Sequence, residues 1–171
     1  MAEPIKTVAV LVANPALSSI LSMTLAGVSS LRVRPFETQL ALTTYLRLAP
    51  ADLVVADFDS VPSRADKLAE DLRGDRIIGA RDLQVIALAS ALTPEIKMAS
   101  IHAGIDEIIM KPMSPRYLVE RVLARLAKKK SSAATPAQRA ERRLSLKKRD
   151  WSSFGDNVVP LRRQPQLERP L

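Results

Sequence analysis

The nine residues GIDEIIMKP, Gly104 to Pro112, decide the reading of this chain. Glycine ends a helix, an acidic pair follows, and Glu107 to Met110 makes a short apolar strand that stops at Lys111-Pro112. On the N-terminal side, Thr93-Pro94-Glu95 starts that helix with a capping hydroxyl and a proline in its first turn. On the C-terminal side, Ser114-Pro115 opens another helix through Leu118, Val122 and Leu126. Further out the alternation repeats. Ile5 to Val12, Leu31 to Pro35, Asp52 to Asp57 and Gln84 to Leu88 read as strands, three of them continuous apolar runs of the kind buried on both faces. Between them lie helices opened by Pro15 (Leu17, Ile20, Leu21, Leu25 and Val28 at helical spacing), over 37–48 (Leu40, Leu42, Tyr45, Leu46) and over 63–73. Strands alternating with helices imply an α/β fold: a five-stranded parallel, doubly wound sheet, since each parallel crossover needs a helix to bring the chain back.

Composition narrows the chemistry. The 171 residues contain no cysteine, which excludes disulfides, thiolate metal sites and a cysteine nucleophile. The single histidine, His102, cannot make an imidazole metal cluster. Residues 1–127 carry 14 Lys/Arg against 14 Asp/Glu, whereas residues 128–171 carry 12 against 4, so the net charge of +8 lies entirely in the last quarter. The reading is therefore a neutral domain (1–127), a polar linker KKKSSAATPAQ (128–138) and an arginine-rich tail (139–171) too poor in apolar residues to build a core, expected to be disordered alone. Thr7 to Leu31 is uncharged, long enough to be mistaken for a membrane span. Asn14-Pro15 interrupts it and serines make its second half amphipathic, while Glu3 and Lys6 offset each other at the start. The expectation is a cytoplasmic chain without membrane insertion or signal peptide.

In doubly wound sheets the site lies outside the carboxyl ends of the strands. There the chain offers Asp57 after the third strand and Lys111 after the fifth. VAVLVANPAL, DLVVADFD and GIDEIIMKP together resemble a CheY-like response-regulator receiver domain over residues 5–127. The resemblance places Asp57 at the phospho-acceptor position and Lys111 at the position that contacts the phosphoryl group, with a cis peptide bond before Pro112. It also exposes departures. The acidic pair that holds Mg²⁺ in receivers is replaced by Val12-Ala13, leaving Asp57 with only Asn14 and Asp59 nearby. The hydroxyl after the fourth strand is Ala89, with Ser90 one step displaced, and the switch aromatic is Ile108. Asp57, Lys111 and Ser90 are thus read as a degenerate phospho-acceptor pocket in a pseudo-receiver, with no metal expected.

The tail carries the other candidate site. Trp151, the only tryptophan, lies where the chain is least able to bury it, among Arg143, Arg149, Asp150, Asp156, Asn157, Arg162 and Arg163. Arginine donates in a fork to guanine O6 and N7 and neutralises phosphate; aspartate accepts from the guanine Watson–Crick edge; tryptophan stacks on a purine for about 1–3 kcal/mol. Leu144, Leu146, Val158, Val159 and Leu161 suggest a segment that folds on meeting its partner. A degenerate receiver with a tail reading RRLSLKKRDWSSFGDNVVPLRR is similar to the Cle family, bacterial CheY-like effectors of cyclic di-GMP. That resemblance implies a non-enzymatic protein whose tail binds cyclic di-GMP, also as an intercalated dimer. It further implies a receiver that docks on the flagellar motor switch protein, with recruitment to the motor at the pole and an effect on motility. Two other readings stand beside it: a single-domain response regulator phosphorylated on Asp57, and an adaptor whose basic tail binds nucleic acid or anionic lipid without specificity.

Overall fold

The computed structural model describes residues 4–132 and 158–160. The elements run β1 (Lys6–Leu11), α1 (Pro15–Ala26), β2 (Leu31–Phe36), α2 (Gln39–Leu48), β3 (Leu53–Asp57), α3 (Ala65–Gly74), β4 (Gln84–Ala89), α4 (Pro94–Ala103), β5 (Glu107–Met110), α5 (Pro115–Ser132) and β6 (Val158–Pro160). The first five strands are parallel in the order β2-β1-β3-β4-β5, the flavodoxin-like doubly wound arrangement.

Alternate strand residues feed two cores. Val8, Val10, Leu53, Val55, Ile86, Leu88 and Ile109 face α1 and α5, packing on Leu21, Leu25, Leu118 and Val122. Ala9, Leu11, Val54, Ala56, Val85, Ala87 and Ile108 face the other way, toward Leu42 and Leu46 of α2 and Leu68 and Leu72 of α3. Burial on both faces is why these strands read as unbroken apolar runs. Helix starts follow from local chemistry: the Asn14 side chain accepts the Leu17 N–H (3.0 Å), Thr93 accepts from Ile96 (3.2 Å) and Ser114 from Tyr117 (3.1 Å). Gly104 ends α4 at φ +77°, a left-handed backbone that a side chain would strain.

The acidic pair of GIDEIIMKP is structural. The Asp106 carboxylate accepts from the Arg73 guanidinium (3.0 Å) and the Val85 N–H (2.7 Å), while Arg73 also donates to the Gly104 and Leu83 carbonyls. Burial nevertheless pushes the Asp106 carboxyl up from its usual range. Glu107 is fully buried and bridges Arg121 and Arg125 of α5, each Nε at 2.5 Å.

Four expectations are corrected. Ile20 and Leu40 stand 51% and 76% exposed: each is about 100° or 200° round its helix from the true stripe at Leu21/Leu25 and Leu42/Leu46. Helix α5 runs to Ser132, so the first five residues of the presumed linker 128–138 are helical. Lysine and alanine favour helix, and cations in the last turn complement the helix dipole. Finally, Val158–Pro160 do not lie outside the sheet: they add β6, antiparallel to β5, with Ile109 opposite Val158, Ile108 opposite Val159 and Glu107 opposite Pro160. The uncharged run Thr7 to Leu31 divides into β1, α1 and the start of β2, and no helix among the described residues is long and apolar enough to cross a membrane.

Candidate functional site

Strand order reverses between β1 and β3, which opens a crevice at their carboxyl ends. Asp57, the last residue of β3, sits there with its side chain 7% exposed. Lys111, directly after β5, reaches across and donates from Nζ to Asp57 Oδ1 at 2.8 Å. The same ammonium lies 2.8 Å from Asp59 Oδ2. Asp59 in turn accepts the Ser90 N–H at 2.8 Å, and its own N–H donates to Asp57 Oδ1 at 3.0 Å. The peptide bond between Lys111 and Pro112 is cis, as the resemblance implies.

The arrangement is a closed electrostatic unit: one cation held between two carboxylates, tied by backbone donors. Partial burial disfavours the ammonium, yet the two carboxylates outweigh it and raise the Lys111 pKa above the ordinary lysine value. Burial likewise opposes the Asp59 carboxylate, and the bonds from Lys111 and Ser90 overcome it and lower its pKa. The structure thus brings together all three residues of the predicted pocket, Asp57, Lys111 and Ser90. It adds Asp59, noted in the sequence only as a neighbour. Its signal was its position two residues after Asp57 in the turn DFDS, where a short side chain can reach back to the strand end.

The resemblance to receiver domains implies a magnesium site here, and magnesium needs several oxygen ligands. The residues present do not fit it. Val12 is apolar and buried, Ala13 offers no side-chain donor, and Asn14 is engaged as the α1 cap. Asp57 and Asp59 already share Lys111. Among the described residues no group of three or more His, Asp or Glu side chains is placed to hold a metal ion. Ile108, at the switch-aromatic position, is 1% exposed in the core, so it has no room to swing between a buried and an exposed rotamer.

Beside Lys111 lies a cleft of about 190 Å³ walled by Leu17, Ile20, Leu21, Met113 and Leu118. Its one charged lining residue is Lys111, already paired twice, so the cleft has no cation to spare for a phosphate. His102 lies exposed in the last turn of α4, away from any acid–base partnership among the described residues. The tail candidates Arg143, Arg149, Asp150, Trp151, Asp156, Asn157, Arg162 and Arg163 lie outside the described residues.

Neither a protein-family model nor a curated protein sequence matches the chain. Solved structures do. A CheY-like response-regulator receiver domain protein from Methanospirillum hungatei JF-1 superposes with TM-score 0.66 at 19% identity, covering 75% of this chain and 98% of its own. The beryllofluoride-activated DrrB receiver domain gives 0.61 at 21% identity, covering 72% and 98%. The chemotaxis response regulator CheY4 of Vibrio cholerae gives 0.63 at 15% identity, covering 71% and 98%. At these identities the likeness establishes the fold: residues forming the five-stranded parallel sheet and its helices have the CheY-like receiver architecture.

Proposed function

We propose that this chain is a non-enzymatic effector of cyclic di-GMP, in which a pseudo-receiver serves as output module and the cationic tail binds the ligand. One contrast carries the reading. The one cation of the strand-end pocket is already engaged, Lys111 sitting 2.8 Å from both Asp57 and Asp59, whereas the whole +8 excess and the only tryptophan lie in the segment after it. A phosphoryl group arriving at Asp57 would find no acidic pair to hold a metal and would have to displace a cation from two carboxylates. A dianionic guanine dinucleotide meets the opposite situation in the tail. Arg143, Arg149, Arg162 and Arg163 supply forks for guanine edges and phosphates; Asp150 or Asp156 accepts from a Watson–Crick edge beside Asn157; Trp151 stacks. The carboxylates favour this over a plain polyanion binder, which gains nothing from them.

Ligand binding would order the tail and change how the receiver surface meets a flagellar motor switch protein, altering motility. The sequence resemblance supports that output, and the likeness to a chemotaxis response regulator is in keeping with it. The test is calorimetric titration of the full chain with cyclic di-GMP, using cyclic di-AMP and GTP as controls. The expected result is saturable binding of the guanine dinucleotide alone, weakened at least about tenfold by Trp151→Ala and by Arg149→Ala. Wild-type curves from both variants, or equal binding of all three nucleotides, would overturn the reading.

A further inference from the structure

Helix α2 presents a stripe that its own fold leaves uncovered. Leu42 and Leu46 turn into the core, and Leu40, Thr44 and Leu48 fall on the directly opposite side, within about 80° of one another at 100° per residue. Leu40 is 76% and Leu48 82% exposed, and Thr44 between them is exposed too. The outer side of a surface helix is ordinarily polar, so two leucines about 12 Å apart on one stripe form a patch rather than scattered exposure. The flanks of the stripe differ. On one, Gln39 donates to Asp71 of α3 and Arg47 Nε donates to Asp75 at 2.8 Å, so α3 and the turn after it close that side. On the other, Tyr45 packs against Phe36 of β2, with ring centroids 5.2 Å apart.

The β2 flank is cationic. Arg32 and Arg34 alternate with Leu31 and Val33, which belong to the core under α1 and α5, so the two arginines share with Phe36 the strand face that α2 covers. Both are exposed, and neither pairs with a carboxylate among the described residues. Charge on an edge strand resists pairing with another strand. That role accounts for the arginines but leaves the two leucines beside them unexplained.

We propose that the α2–β2 surface is a docking site for an acidic amphipathic helix of another protein, its apolar residues seated on Leu40 and Leu48 and its carboxylates paired with Arg32 and Arg34. Spacing and charge carry the choice. Arg32 and Arg34 lie about 6.6 Å apart along the strand, close to the ~6 Å rise between carboxylates at i and i+4 of a helix, and the leucines match apolar residues at i and i+8. The chain's own tail is the wrong occupant: residues 128–171 carry 12 Lys/Arg against 4 Asp/Glu, and β6 lies at the other edge of the sheet. A second copy joined through the same stripe would set each flank against its own counterpart, arginine against arginine. A broad anionic bilayer would also meet the exposed carboxylates of Glu37 before α2 and Asp71 on the α3 flank, which a narrow helix on the β2 side avoids. The surface belongs to the sheet domain alone and does not depend on the cyclic di-GMP reading.

The test is residue-resolved amide shift mapping by NMR on the full chain, which separates contacts at α2 and β2 from contacts with the tail. The probe is a synthetic helix of about 15 residues built from Ala, Leu and Glu, its leucines eight residues apart and its glutamates four apart. The controls are its Lys-for-Glu counterpart and phosphatidylglycerol vesicles. Two double variants, Arg32→Ser with Arg34→Ser and Leu40→Ser with Leu48→Ser, change only exposed side chains and should keep the urea midpoint of wild type. The acidic helix is expected to shift amides at residues 32–34 and 40–48, and each double variant weakens that binding at least about fivefold. Added salt weakens it in wild type and much less in the arginine variant. Absence of shifts at these residues, or equal affinity in wild type and both variants, overturns the proposal. Stronger engagement of the same residues by the vesicles or by the lysine helix, or shifts at α2 that grow with protein concentration alone, overturns it too, assigning the surface to a membrane, a basic partner or a second copy.

Discussion

Replacing Lys111 with methionine removes the cation and keeps the length of the side chain. Asp57 is then left 7% exposed with a carboxylate and no counter-charge, its remaining donor being the Asp59 N–H at 3.0 Å. At the 2.8 Å separation of each contact, gross attraction is about 6 kcal/mol in an effective dielectric near 20, most of it offset by the desolvation of the ions. Breaking a buried pair from one side costs about 3–5 kcal/mol, but the 38% exposed Asp59 contact counts as a surface pair worth about 0–1. Lys111→Met should therefore cost about 3–5 kcal/mol, nearly all of it from the Asp57 side. Asp57→Asn should cost about 1 kcal/mol, since the amide oxygen still accepts from Lys111 and Asp59 still neutralises the ammonium. The assay is urea unfolding at pH 7 followed by circular dichroism, with the m-value unchanged among the three proteins. A Lys111→Met loss below about 1 kcal/mol, or an Asp57→Asn loss as large as that of Lys111→Met, would show that Lys111 is not the counter-charge that Asp57 requires.

The same unit sets a pH signature. The folded Lys111 pKa is raised, so its contribution is complete below 10.5 and is lost as pH rises through the folded value; Asp59 is lowered, so its contribution is complete above 3.8 and is lost on acidification. Lys111→Met should flatten the alkaline limb of a plot of stability against pH, and an alkaline limb identical to wild type would refute this. Glu107→Gln removes the buried charge that two half-buried arginines share and should cost about 3 kcal/mol by urea unfolding; a loss under about 1 kcal/mol would contradict the bridge. Gly104→Ala places a Cβ on a residue at φ +77°, 3.3 Å from the Arg73 side chain, and should cost about 1–2 kcal/mol. Incubation with acetyl phosphate and Mg²⁺ should leave Asp57 unlabelled by mass spectrometry, and Asp57→Asn should bind cyclic di-GMP as wild type does. Labelling that Asp57→Asn abolishes would restore the phosphorylated-regulator reading.

By itself the sequence determined the order and type of the elements through Leu126, because period-two and period-3.6 patterns and capping residues are local properties of the chain. Asn14, Thr93 and Ser114 start helices in the structure for the reason they do in the sequence: a side-chain oxygen three residues from an unsatisfied N–H. Placing Asp57 and Lys111 at strand ends was legible for the same cause, given a parallel sheet. What only the tertiary structure decided depends on residues far apart in the chain. Asp59 joined the site because Lys111, 52 positions away, reaches it at the same distance as Asp57. Asp106 and Glu107 proved structural because Arg73, Arg121 and Arg125 converge on them from two helices. Val158–Pro160 became a strand by pairing antiparallel with β5, an edge about 50 positions earlier in the chain. A sequence window shows what a segment prefers; which edge, ion or carboxylate meets it is set by packing.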